Sequence, residues 1–308
     1  MVNLPPIRWV PDASASIALL CQAAAGGVQT VDGKLNPTDF VAVVDEIDER
    51  LLDLNLSPQA FWVRWTDAVI VDADPVAAVA TAIRRCGRDP SINRGVISKI
   101  DRGTTDLWSI VAQRYPRIDE QLPLRIRAIK DQWDTYGRGL LKHVERAVWD
   151  TNPPDDWWPP DITARMVHPI AGGGGDVCDD GQSFWMEAVL TDVDPRLPEV
   201  LRAAWLAIRV GIGSHLTTRS ASANSSESNS GGTVSIGDVY RRWSHASVPL
   251  LMSAAWDIGL ADPGVSVADA MQLWQYGDAA TAERVDRWWS SRDRDTPLPV
   301  SLRMLALS

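Results

Sequence analysis

Cysteine is scarce: Cys21, Cys86 and Cys178 are odd in number, far apart and in no Cys-x-x-Cys pair. A disulfide framework is thereby excluded, and reduced thiols in the cytoplasm are expected. Histidine is equally sparse. His143, His168, His215 and His245 show no His-x-x-x-His spacing, so no metal site and no cofactor are expected. No apolar run of 18 residues occurs, and MVNLPPIRW lacks a basic segment leading into an apolar one. Neither a membrane span nor a leader is therefore expected. Basic residues are in deficit, 30 against 40 acidic ones, for a formal charge of -10. Broad binding to nucleic acid or to anionic membrane needs the opposite field. Phenylalanine (3) and tyrosine (4) are few, and 15 tryptophans stand in for them. They are read as core filler, because Trp buries the largest area; a stacking platform would need exposed Trp grouped together, and only Trp157-Trp158 and Trp288-Trp289 are paired.

Most of the chain has helical periodicity. Ser14–Ala24 reads as an apolar helix closed by Gly26-Gly27. Asn36-Pro37, Ser57-Pro58 and Asp74-Pro75 are cap-plus-proline starts, each followed by apolar residues on one face. Ser91–Ile100 and Thr105–Tyr115 read as two short helices, the second begun by Thr104 or Thr105. The polar RIDEQLPL (117–124) reads as a boundary, dividing an N-terminal helical region, 1–118, from an α+β region, 119–308. A long helix, Leu124–Trp149, follows, with a kink or close contact expected at Gly137 and Gly139. Further helices are expected over 236–244, 249–260, 267–274 and 279–290, and the low-complexity run at 219–233 reads as a disordered insert.

The pattern turns extended only in the middle. Arg165–Ile170 and Ser183–Val193 read as two strands of a hairpin joined by a Gly/Asp turn, and Val200, Leu201, Ala204, Trp205 and Ile208 then recur at helical spacing as far as Gly211. The expected fold is mainly helical α+β, with a small antiparallel sheet or hairpin (about 163–194) packed among helices.

Motifs of known chemistry are incomplete. Gly172–Gly175 lacks both the G-x-G-x-x-G pattern and the Gly-Lys-Ser/Thr of a phosphate loop. Asp176, Asp180, Gly181 and Glu187 match positions 1, 5, 6 and 12 of a calcium loop, but Cys178 replaces an oxygen ligand and no helix precedes it. Ser183 has no glycines around it of the nucleophile-elbow kind.

The strings QWDTYGRGLLKHV, VHPIAGGGGD and MEAVLTDVDPRLPEVLRAAWLAIRV resemble a family of uncharacterised bacterial proteins found chiefly in planctomycetes. That resemblance implies helix-rich cytoplasmic proteins and carries over no catalytic residue. A weaker architectural resemblance is to the zincin core, of long helix, strands and buried helix. The matching helix here, RLPEVLRAAWLAIRV, has no histidine, so the resemblance implies a metal-free relic. Function is read as non-enzymatic binding or scaffolding, with a protein or small molecule as partner and neither nucleic acid nor membrane. The alternative is a hydrolase-like enzyme, possibly zincin-derived, with a site beside the hairpin. His168, Asp176, Glu187 and Trp205, near the strand-to-helix junction, are the candidate binding residues in either case.

Overall fold

A computed structural model describes residues 4–72, 74–150, 152–224, 235–293 and 296–305. A strand absent from the expectations opens the fold: β1 (Ile7–Pro11) runs directly into α1 (Ala13–Ala25), capped where Asp12 Oδ1 accepts the Ala15 N–H at 2.8 Å. The cap-plus-proline starts hold. Asn36 caps a 3-10 turn (Pro37–Asp39) before α2 (Val41–Asp53), Ser57 precedes α3 (Pro58–Asp72), and Asp74 caps α4 (Pro75–Arg85).

The two short helices expected over 91–115 are one, α5 (Arg94–Arg114). Thr104 and Thr105 do not cap a new helix; both hydroxyls bond back to the Asp101 carbonyl inside it. Gly103 lets α5 approach α2, since a Cβ there would lie 2.6 Å from Ile47. The expected boundary at 117–124 is also helical, being the first turns of α6 (Ile118–Gln132). Asp119 and Glu120 suit its positive end, and Pro123 sits near enough to the start to cost only one ladder hydrogen bond. α6 continues through a π-helical turn, Trp133–Gly137, into α7 (Arg138–Trp149). The expected close contact is here, with the Trp133 indole occupying the place of a Gly137 side chain.

Three strands follow: β2 (Ile162–Val167), β3 (Gly175–Val177) and β4 (Ser183–Glu187). The sheet order is β1-β2-β4-β3. The mainly helical α+β class holds, but the hairpin is β3–β4, and β2 lies parallel to both β1 and β4. The sheet is therefore mixed, where a small antiparallel one was expected. β2 and β4 are buried almost throughout, as central strands covered on both faces are, and this erases the alternation that marks an antiparallel pair. α1 packs on β2, α6 on β1 and β2, and α8 (Glu199–Asn224) on β3 and β4.

α8 extends well beyond Gly211 and into the start of the 219–233 run; the remainder of that expected insert lies outside the described residues. α9 (Ile236–Asp257) joins the two helices expected over 236–260, with Pro249 in its interior. α10 (Val267–Leu273), α11 (Ala279–Ser291) and α12 (Leu298–Ser301) follow, the last running into a 3-10 turn, Leu302–Met304. One continuous apolar core runs from α1 to the residues around α12. The domain boundary drawn after residue 118 falls within the first turn of α6, and β1, from before it, pairs with β2, from after it. The tryptophans do fill the core: Trp65, Trp157 and Trp205 are among its largest fully buried side chains, and Trp158 is buried beside Trp157.

Candidate functional site

In sheets with parallel strands, ligands collect beyond the carboxyl ends, where backbone and loops converge. Here β4 ends at Glu187, level with the end of β2 at Val167. The loop between β2 and β3 curls around the Glu187 carboxylate. Its oxygens accept the N–H groups of Ala171 at 3.1 Å, Gly172 at 2.6 Å and Gly173 at 3.0 Å. Glycine is required by this path. Gly173 has φ +151° and no room for a Cβ beside the Leu273 carbonyl, and a Cβ on Gly174 would come within 2.8 Å of Glu187 Oε1. The glycine run that failed as a phosphate loop is thus an anion cradle, and the anion is the protein's own.

Arg202 of α8, fully buried, secures the cradle from below. It donates to the carbonyls of Gly174 (2.8 Å) and Glu187 (2.9 Å) and pairs with Glu199 at 2.5 Å. Burial raises the Glu199 carboxyl above its ordinary range, opposed by the Arg202 charge. The Gly174 and Glu187 carbonyls and the Glu199 charge, each costly to bury alone, thus have a partner in Arg202.

Beside Glu187 opens a cleft of about 660 Å³, walled by α1, α2 and α3 on one side and by β4 and the glycine loop on the other. This volume suits a small molecule. Trp62, Trp185, Leu19 and Ile170 give it apolar walls; Gln22, Gln59 and Gln275 add amides. Asp48 and Glu187 are its carboxylates, and neither lysine nor arginine is among the described lining residues. The Trp62 indole N–H donates to Asp48 Oδ1 at 3.1 Å. Burial, with a smaller contribution from Asp45, nonetheless raises the Asp48 carboxyl above its usual range. A cationic group in the cleft would relieve that penalty.

Of the four residues singled out by sequence, Glu187 lines this cleft and His168, Asp176 and Trp205 do not. His168, just past β2, is buried and faces Asp32, with Nε2 3.3 Å from Oδ2. The other Asp32 oxygen accepts from Thr30 (2.7 Å) and Tyr115 (3.2 Å), and the Tyr115 ring packs edge-on to the imidazole. Burial lowers the His168 pKa despite Asp32, whereas hydrogen bonds, led by that from Thr30, outweigh burial and lower that of Asp32. The network ties the loop after α1 to the segment that follows β2, as does the bond from the Val31 N–H to the Ile170 carbonyl. Asp176 and Trp205 come together elsewhere. Asp176 pairs with Arg209 at 2.7 Å, and the guanidinium lies over the rings of Trp205 and Tyr276. Trp205 itself is fully buried and stacked on Trp274.

Asp176, Asp180 and Glu187, the near match to a calcium loop, diverge: Asp180 accepts from Gln182 and Ser183, closing the β3–β4 turn. Among the described residues no cluster of three or more His, Cys, Asp or Glu could hold a metal ion, and no helix is long and apolar enough to cross a membrane. Comparison of the chain with protein-family models, with curated proteins and with solved structures gives no match.

Asp48, Trp62, Trp185 and the three glutamines were not legible as site residues. Each sits in an ordinary helix, strand or turn position. Of the cleft residues only Glu187 was a candidate, from its place near the strand-to-helix junction.

Proposed function

We propose that this is a non-catalytic cytoplasmic binding protein that holds a small cationic molecule with an apolar or aromatic body in the cleft beside Glu187. The observation that carries the reading is the composition of the lining: Asp48 and Glu187 with no lysine or arginine among the described lining residues, together with the indoles of Trp62 and Trp185. A cation over an indole face gains from the ring quadrupole as well as from the carboxylates. The role of Glu187 is electrostatic, because its oxygens are already engaged by three loop N–H donors and are poorly placed to shuttle a proton. Three unpaired thiols support a reducing compartment.

The test is calorimetric titration with phenethylammonium, for which a Kd of about 1 mM or tighter is expected from the size of the ligand. Asp48 is half-buried and accepts one hydrogen bond, so Asp48→Asn should fold normally while losing a partly solvated ion pair. Affinity should fall about three- to fivefold, the equivalent of roughly 0.5–1 kcal/mol. Equal affinity in parent and variant would contradict the reading.

A further inference from the structure

β1 is an edge strand, paired with β2 on one side only among the described residues. The register fixes which backbone groups are left over. The Ile162 N–H donates to the Pro6 carbonyl and the Asp12 N–H to the Met166 carbonyl, so even-numbered residues face β2, and Ile7 and Trp9 turn their N–H and C=O outward. Pro11 belongs to the outward set but has no N–H, and Pro5 and Pro6 precede the strand. The prolines stop an incoming strand from extending along the edge, leaving a window a few residues long.

Beside this window lies a groove of about 410 Å³ between β1 and the junction of α6 with the π-helical turn. Its floor is apolar, with Trp9 and Trp133 edge-to-face at 5.8 Å. The π-helical turn begins at Trp133, and such turns are concentrated at functional positions. Its rim is basic. Lys130 and Arg138 are exposed; Arg8 is exposed too, with its guanidinium turned to Thr163 Oγ1 of β2 at 2.9 Å; Asp134 is the one carboxylate among the described lining residues, and no described carboxylate pairs with any of the three cations. On a chain of formal charge -10 this is a local reversal of sign.

We propose that the outer edge of β1 takes a short acidic segment of a partner protein as an added strand, hydrogen-bonded to Ile7 and Trp9 and held by Lys130 and Arg138. Backbone pairing supplies the geometry, and the basic rim supplies the preference for acidic side chains. The inference is independent of the cleft beside Glu187.

The probe is an N-acetylated, C-amidated hexapeptide of alternating glutamate and valine, titrated into the ¹⁵N-labelled full chain. Saturable shifts of the Ile7 and Trp9 amides are expected at low salt. The double variant Lys130→Glu, Arg138→Glu should weaken binding about tenfold or more without changing the melting temperature, since both side chains are exposed. A peptide methylated on alternate backbone nitrogens, those facing the edge, should lose binding. The proposal is overturned if the shifts lie elsewhere or do not saturate, or if charge reversal leaves the affinity unchanged. It is equally overturned if the methylated or a lysine-for-glutamate peptide binds as well, or if a deoxythymidine decamer displaces the peptide from the same amides.

Discussion

The cleft at the strand ends and the groove at the strand edge are opposites built on one sheet. The first gathers Asp48 and Glu187 without a lysine or arginine; the second sets Arg8, Lys130 and Arg138 against a single Asp134. Their attachment to the fold differs as much as their charge. Glu187 is buried, cradled by the glycine loop and braced by Arg202, whereas the groove cations are exposed and none is paired with a carboxylate among the described residues. A net charge of -10 therefore describes neither surface. Substitution at the cleft floor should disturb the fold as well as binding, and substitution at the groove rim should disturb binding alone.

The largest effect is expected at Arg202. Arg202→Met leaves the Gly174 and Glu187 carbonyls without their donor and Glu199 buried without its cation. Urea unfolding should show a loss of about 3–5 kcal/mol. A loss below about 1 kcal/mol would mean that water replaces the guanidinium and that the cleft floor is no more integral than the groove rim. Glu187→Gln is a milder form of the same test. One amide oxygen cannot serve all three loop N–H groups, and its NH2 faces donors. A loss of roughly 1–3 kcal/mol is expected, with faster hydrogen exchange at Ala171, Gly172 and Gly173.

The smallest expected effect is one of pH. Asp67 is on α3, which also walls the cleft, and lies among Arg64, Arg85 and the β3–β4 turn residue Asp179. Burial, reinforced by the charge of Asp179 and opposed by Arg64, pushes its pKa up to about 6. A carboxyl whose folded pKa is raised holds its proton in the folded chain after the unfolded chain has released it, so its contribution to stability is lost as pH rises from about 4 through 6. Asp67→Asn removes that dependence. The melting temperature of the variant relative to the parent should rise between pH 4 and pH 7, and a flat difference would show that Arg64 and Arg85 fully neutralise the site.

Local chemistry was legible in the sequence wherever a signal and its consequence lie within a few residues. Asp12 caps α1 without a following proline to mark it, but Asn36, Ser57 and Asp74 mark real helix starts, and Gly137 marks the close contact with Trp133. The failures share a physical cause, which is that tertiary contact settled what local pattern left open. Thr104 and Thr105 resemble a cap until their hydroxyls are seen to bond backward. Pro123 and Pro249 resemble breaks, but the packing around α6 and α9 keeps the helices whole at the loss of a hydrogen bond. β2 and β4 resemble hairpin partners because they are near in sequence; burial on both faces and the distant β1 make them parallel neighbours. The cleft is the extreme case. Gln22, Asp48, Trp62 and Trp185 are brought together by the crossover from β1 to β2, and no spacing rule connects them.

The most direct test of the account is a calorimetric comparison of three ligands that share a phenethyl body on the parent protein: phenethylammonium, phenethyl alcohol and 3-phenylpropionate. A lining that holds two carboxylates and no described basic residue predicts that the cation binds about tenfold more tightly than the neutral alcohol, equivalent to roughly 1–2 kcal/mol for a partly buried charge, and that the anion does not bind measurably. The advantage of the cation should shrink as salt is raised. Equal affinities for all three would make the cleft an apolar pocket indifferent to charge, and tighter binding of 3-phenylpropionate would contradict the account outright.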